Sequence, residues 1–308
     1  MSFLHTLIVL LFVPLIMGQG QHSWEGFVEN EGVCTHYRAT GSGPLLFLLH
    51  GFPDNSDTFY NHVPELAKQY TVVTPSRRGF PPSGVPDKDE DYQLAKVVSD
   101  IVTLIKTPGG RKVLLGGHDF GGAMAQLLAY SMPHMVKGLI LMNPPVIPRL
   151  QYLVSFDPEQ QKASEYTIHL MQYKIGDDKE VAEKAAPIRD PARRKEIEDY
   201  LTASPINGMM AYYKENYPAP PYGQTSPLQN LTIPVPTLLI WGVEDTYFIP
   251  KFVDGIPGIF PNSTRLVTLP HAGHWAFQDE PKKVNREIMS WLEEQKYEGN
   301  YGVGVVLC

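Results

Sequence analysis

The chain has 308 residues, 43% of them hydrophobic and 19% charged, with a formal net charge of −7. This is the composition of a folded globular protein, and the length suits one large domain or a domain carrying an insertion. The negative balance and the lack of any Lys/Arg-rich run exclude a nucleic-acid footprint, which needs clustered positive charge, and fit a small neutral or apolar substrate better.

Met1–Gly20 contains an apolar run from Leu7 to Ile16, interrupted by Pro14 and followed by Gly18 and Gly20. It reads as a signal peptide, with secretion the expected localisation. Its start lacks Lys and Arg, and an uncleaved membrane anchor has a similar composition, although the run is short for a bilayer span. In a eukaryotic secreted chain, Asn230-Leu-Thr and Asn262-Ser-Thr are glycosylation acceptors. The two cysteines, Cys34 and Cys308, are too few for a disulfide framework and could pair, stay free or link two chains. No spacing of Cys, His or acidic residues forms a metal signature and no phosphate loop is present, so no cofactor is expected.

In the first half short apolar runs alternate with helical patterns. Leu45–Leu49, residues 71–74 and residues 113–115 read as strands, and Leu94, Val97, Val98, Ile101, Leu104 and Ile105 are spaced as one helix face. Residues 138–142 supply another strand, ending at Asn143-Pro-Pro. This alternation predicts an α/β fold with a mostly parallel central sheet covered by helices. From Val146 to Pro234 the chain is rich in Tyr, Met, Gln and charged residues at helical spacing, punctuated by Pro187, Pro205 and the run from Pro218. This is expected to be an inserted helical lid at 146–234, set in a core of 21–145 and 235–308. Residues 237–241 and 265–269 resume the sheet, and Val284, Ile288, Trp291 and Leu292 mark one face of a terminal amphipathic helix.

Gly116-Gly-His-Asp-Phe-Gly-Gly122 follows one of these strands and opens a helix carrying Met124, Leu127 and Leu128. A nucleophile elbow needs that context, because its central residue sits on a strained strand-to-helix turn whose neighbours must be small. Gly117, Gly121 and Gly122 meet the need and put Asp119 at the apex; the alternative is a Gly-rich turn whose Asp caps the helix. His118, beside the apex, points away into the fold and is expected to be structural. His50-Gly-Phe-Pro-Asp54 directly follows strand Leu45–Leu49, where an oxyanion hole would take its N–H groups from Phe52 and Phe120. Trp241-Gly-Val-Glu-Asp245 offers an acid at the end of one strand, Glu244 or Asp245. His271-Ala-Gly-His-Trp275 offers a base after the next, His271 or His274.

These motifs resemble the epoxide-hydrolase-like branch of the α/β-hydrolases: HGFP at His50–Pro53, GHDFGG at Gly117–Gly122, WGVED at Trp241–Asp245 and AGHW at Ala272–Trp275. The resemblance runs from about Val33 to Glu294. It implies the α/β-hydrolase fold with an inserted cap, the chain order nucleophile, acid, histidine, and a triad of Asp119, Asp245 and His274. It also implies cap tyrosines that hydrogen-bond the epoxide oxygen. The matching positions are Tyr166 and Tyr213, with Tyr212, next to Tyr213, as a rival that contacts substrate. The family's Asp-x-x-Gly-x-Gly segment is altered here to Ser76-Arg-Arg-Gly-Phe-Pro-Pro82.

Aspartate at the apex bears on the reaction. Ester hydrolysis usually runs through Ser, whereas a carboxylate suits attack at saturated carbon, as in epoxides and carbon–halogen bonds. The expected activity is opening of a small apolar epoxide by Asp119, with the ester hydrolysed by water that His274 and Asp245 activate. Haloalkane or haloacid dehalogenation by the same triad is the alternative. It would need Trp or Arg after the nucleophile, where this chain has Phe120, or a lid tryptophan, and Trp24, Trp241, Trp275 and Trp291 all lie outside the lid. A non-catalytic secreted scaffold of this fold is a further alternative, set against the presence of every triad member. Tyr166, Met171, Met209, Met210, Tyr212 and Tyr213 give the lid an apolar lining or, as is more usual at helical spacing, core.

Overall fold

The computed structural model describes residues 22–107, 112–174 and 182–295. The expected signal segment Met1–Gly20, the tail from Tyr297 and any pairing of Cys308 lie outside the described residues; Cys34 is exposed. The described chain opens with a hairpin that the sequence pattern did not predict, β1 (Ser23–Asn30) and β2 (Val33–Gly41). Its turn residues Glu31 and Gly32 have φ of 52° and 80°. Positive φ at both central positions is the type I′ arrangement, whose twist matches that of the paired strands.

The elements that follow are β3 (Leu45–Leu49), α1 (Val63–Leu66), β4 (Thr71–Pro75), α2 (Leu94–Lys106), β5 (Val113–His118), α3 (Phe120–Ser131) and β6 (Val136–Met142). After a stretch whose described residues form helices and no strands come β7 (Thr237–Gly242) and β8 (Thr264–Leu269). The eight strands form one sheet in the order β1-β2-β4-β3-β5-β6-β7-β8. β2 pairs antiparallel with β1 and β4, and every pair from β4 to β8 is parallel. Every residue of β4, β5 and β7 is buried, as strands covered on both faces must be. α2 buries Val97, Val98, Ile101, Leu104 and Ile105 and packs on α3. The mostly parallel sheet with helical layers expected from the sequence is therefore borne out.

Between β6 and β7 lie α4 (Ile147–Phe156), α5 (Pro158–Ala163), α6 (Glu165–Met171), α7 (Pro191–Ala203) and α8 (Asn207–Asn216). Two aspartates start these helices by accepting backbone N–H groups that have no partner within the helix. Asp157 caps α5 through Glu159 N at 2.9 Å, and Asp190 caps α7 through Ala192 N at 2.9 Å; each is followed by Pro at the first helical position. α6 packs against α8, which brings Tyr166 and Tyr213 face to edge at 6.2 Å. The last helices of the described residues are α9 (Ile256–Ile259), α10 (Ala276–Asp279) and α11 (Pro281–Glu294). α11 buries Val284, Ile288, Trp291 and Leu292, the four residues whose spacing predicts its apolar face.

Candidate active site

Asp119 joins β5 to α3 with φ 52° and ψ −128°, a conformation that a side chain holds only when its surroundings enforce it. The enforcement is close approach. A Cβ on Gly117 would lie 2.4 Å from the Gly121 carbonyl, and one on Gly121 would lie 2.1 Å from the Leu49 carbonyl oxygen. The elbow is thus wedged against the end of β3, and that contact delivers the HGFP turn to the nucleophile position.

The Asp119 carboxylate is buried at 7% exposure. Its Oδ1 accepts the Phe52 N–H at 3.0 Å. One of the two backbone donors expected for an oxyanion hole therefore already holds the carboxylate. Burial pushes the Asp119 carboxyl above its ordinary value, opposed by His274, the backbone N–H groups of Phe120 and Phe52, and the Arg77 charge.

His274 Nε2 lies 3.8 Å from Asp119 Oδ2, while Nδ1 lies 2.9 Å from Asp245 Oδ2. Asp245 also accepts Asn143 Nδ2 at 2.8 Å, Tyr247 N at 2.8 Å and Phe248 N at 3.1 Å. An acceptor so fully bonded assigns the Nδ1 proton of His274 and leaves Nε2 facing Asp119. Burial pulls His274 down, but Asp245, Asp119 and Asp54 together hold it above its ordinary value. The local alternatives for acid and base fall elsewhere: Glu244 is 49% exposed and His271 90% exposed, and Glu244 pairs with Arg189 at 2.6 Å. His118, as expected, faces the fold, with its Nε2 3.1 Å from the His274 carbonyl.

A cavity of about 250 Å³ opens above this cluster, lined by Asp119, His274, Phe52, Tyr166 and Tyr213 among others. Tyr166 from α6 and Tyr213 from α8 both line it, and burial raises both phenols well above their ordinary value. Tyr212 is not in the lining, which corrects its expected contact with substrate. Its side chain is fully buried, its hydroxyl donates to the Arg78 carbonyl at 2.9 Å, and its ring packs against Phe80 and Phe120. Met209 and Met210 are likewise core, and Met171 is half-buried against it.

Several contributors were not predicted. Tyr247 and Trp275 line the cavity. Asn143, at φ 39°, bridges β6 to the acid, its Nδ2 reaching Asp245 and its Oδ1 accepting Gly242 N at 2.9 Å; the signal available was an Asn, tolerant of positive φ, at a strand end. Asp54, fully buried, accepts the Trp275 indole N–H at 2.6 Å and Arg193 Nη2 of α7 at 3.2 Å. In the altered Ser76–Pro82 segment, Arg78 makes a two-pronged pair with Asp100 at 2.6 Å on each oxygen. Among the described residues no group of three or more His, Cys, Asp or Glu is placed to hold a metal ion.

Comparison with known proteins agrees with this architecture. The family described as alpha/beta hydrolase fold matches residues 44–281. Epoxide hydrolase 3 of Xenopus tropicalis is 30% identical over 303 residues, covering 91% of this chain and 81% of that protein. Epoxide hydrolase 4 of Mus musculus is 28% identical over 290 residues, covering 87% and 79%. A solved epoxide hydrolase of Bacillus megaterium, in complex with an inhibitor, superposes with a TM-score of 0.77 at 26% identity, covering 87% of this chain and 100% of that one. The chain belongs to the α/β-hydrolase fold family and, within it, to the epoxide-hydrolase-like branch.

Proposed function

We propose that this protein hydrolyses epoxides to vicinal diols through an alkyl ester on Asp119. The observation that carries the reading is one cavity lined by the buried Asp119 carboxylate together with Tyr166 and Tyr213. Oδ1 is engaged by the Phe52 N–H, so Oδ2 is the free attacking oxygen. It displaces the C–O bond of the epoxide while Tyr166 and Tyr213 donate to the oxygen as negative charge develops there.

In the second step His274, oriented by Asp245, takes a proton from water, which attacks Cγ of Asp119. The oxyanion then forms on Oδ1, already at the Phe52 N–H. On collapse the Cγ–O bond to the diol breaks, the departing oxygen takes the proton held by His274, and the acid proton left on Asp119 returns to the phenolate that protonated the opened epoxide oxygen, which regenerates the carboxylate. A single turnover in heavy-oxygen water tests this order. Label is expected in the Asp119 carboxylate and not in the first diol released; label in the diol alone would show direct attack by water and refute the ester.

The cavity volume lies just below the roughly 300–1,000 Å³ of typical ligand sites, which favours a small epoxide. Nothing in the lining favours halide release: the indole N–H of Trp275 is committed to Asp54, and Phe120 follows the nucleophile. A panel of epoxides and haloalkanes, assayed for diol and halide, checks this, and halide release alone would overturn it. Secretion and N-glycosylation are part of the same proposal, since Asn230 and Asn262 are both exposed. A mobility shift of the secreted protein on treatment with peptide N-glycosidase is the expected outcome.

A further inference from the structure

Part of the cavity wall, at Glu183, Lys184, Ala186 and Pro187, belongs to the cap. It is built on α7: the short 3-10 turn at Ala182–Ala185 packs against that helix, and the Ile188 carbonyl accepts Arg194 Nε at 2.8 Å. Ala185 and Ile188 are fully buried. Among the described residues, every hydrogen bond and ion pair that joins residues 182–189 to the core comes from one side chain, that of Arg189.

Arg189 reaches three groups of the core at once. Its Nη1 donates to the His271 carbonyl at 2.6 Å and lies 3.4 Å from Asp279 Oδ2, while its Nη2 donates to Glu244 Oε2 at 2.6 Å. Glu244 directly precedes the acid Asp245, and His271 lies three residues before His274. The guanidinium also lies over Gly273, where a Cβ would come within 3.3 Å of Nη2. The two loops are themselves joined there. Glu244 N donates to the Ala272 carbonyl at 2.9 Å, and Gly273 N donates to Asp279 Oδ2 at 2.8 Å. A planar fork holds a carboxylate and a carbonyl at fixed spacing, which the point charge of an ammonium does not. One guanidinium therefore spans the cap wall, the acid loop and the histidine loop.

We propose that Arg189 is a positioning residue for epoxide hydrolysis: its fork holds the wall of residues 182–188 against the loops of Asp245 and His274, so that the cavity keeps the dimensions that retain a small epoxide beside Asp119. The proposal deepens the epoxide reading and rests on it. Arg189 and Glu244 are each about half exposed, so the fork adds little to global stability and is weakened by salt. Its effect is local. The wall has no other polar tie to the core among the described residues, so what is lost on removing the fork falls on substrate retention and not on unfolding.

The test follows ester formation on Asp119 by rapid quench in single turnovers over a range of styrene oxide concentrations, which separates the apparent Kd of the epoxide from the limiting rate. Arg189→Gln is expected to raise that Kd about fivefold, the upper range for an exposed ion pair, with the limiting rate held within about twofold. The Tm is expected to fall by no more than about 4 °C. In about 1 M NaCl the ratio of variant to wild-type Kd is expected to shrink toward one, because screening removes in the wild type what the substitution removes in the variant. Glu244→Gln added to Arg189→Gln is expected to change the Kd no further, since both act through one contact. Amides of residues 183–188 are expected to exchange faster in Arg189→Gln, with those of β5 unchanged. An unchanged Kd, a ratio independent of salt, a loss confined to the Tm or failure of the variant to fold would each overturn the proposal and leave the epoxide reading standing. If the wild type forms no ester on Asp119, the epoxide reading itself has failed and this proposal falls with it.

Discussion

Arg193 lies on α7, between β6 and β7 in the chain, yet it is buried against the loop that follows β3, with 4% of its side chain exposed and its partner Asp54 at 0%. Its Nη2 meets Asp54 Oδ1 at 3.2 Å and Asn55 Oδ1 at 2.9 Å. Truncation to Ala leaves the Asp54 carboxylate in the interior with the Trp275 indole as its remaining side-chain donor. Breaking a buried pair by removing one partner costs about 3–5 kcal/mol, because the charge left behind is uncompensated. Solvent screening does not discount this, since neither side chain reaches water. At about 2–4 °C per kcal/mol for a domain of this size, the Tm is expected to fall by about 10 °C. Asp54 also borders His274, the proposed base, through Trp275, so kcat/KM is expected to fall below the unfolding range as well. The assay is thermal unfolding of Arg193→Ala, Arg193→Met and Arg193→Met with Asp54→Asn. The Asn change removes the orphaned charge while keeping an acceptor for the indole, so the double variant is expected to recover most of the loss. A loss below about 1 kcal/mol, or a double variant no better than Arg193→Met, would refute the argument that a compensated buried charge fastens α7 to the loops of the site.

Asp119→Asn is expected to abolish turnover and raise the Tm at pH 8, with little gain at pH 4. Burial raises the folded Asp119 above its unfolded value, so its stability contribution is fully present below the unfolded value and is lost as pH rises through the folded one; thermal melts across that range check this. Tyr166→Phe with Tyr213→Phe is expected to slow ester formation by ~10²–10⁴-fold while leaving ester hydrolysis unchanged, read by single-turnover quench, with each single change milder because one donor remains. His274 is held above its ordinary value, and hydrolysis needs it neutral. Ester is therefore expected to accumulate in the wild type as pH falls through that raised value, detectable by intact mass. Below the unfolded value the same histidine contributes its full stabilisation, which is lost as pH rises through the folded value. The Tm deficit of His274→Gln is thus expected to be larger at pH 6 than at pH 9.

Much of the site was legible because its motifs are contiguous and sit at strand ends. Asp119, His274, Asp245, Phe52 and Phe120 each lie within a few residues of an apolar run that the pattern identifies as a strand. The hairpin β1–β2 was not legible for a physical reason: no residue of β1 is fully buried, so selection for alternating apolar side chains is weak there, and its turn uses Glu31 where Asn is favoured. Tyr212 and Tyr213 could not be separated by composition. Neighbours on a helix point about 100° apart, and only the packing of α8 on α6 decides which one turns to the cavity. Asp54 and Arg193 were invisible for another reason, since their contacts span 139 residues and that between Asp54 and Trp275 spans 221.

The resting geometry of Asp119 also bears on why a carboxylate works in a frame that other branches of the fold use for serine. A serine meets the oxyanion hole only through its acyl group, after substrate has arrived. Here one carboxylate oxygen occupies the hole from the start, held by Phe52 at 3.0 Å, which fixes the rotamer and leaves the other oxygen toward the cavity. In the proposed cycle the same donor then meets the charge that develops when water attacks the ester, so no reorganisation is needed between the two steps. The cost is a carboxylate desolvated in the free enzyme. The Phe52 N–H and His274 offset only part of it, which is why Asp119→Asn is expected to lose chemistry and gain stability at once.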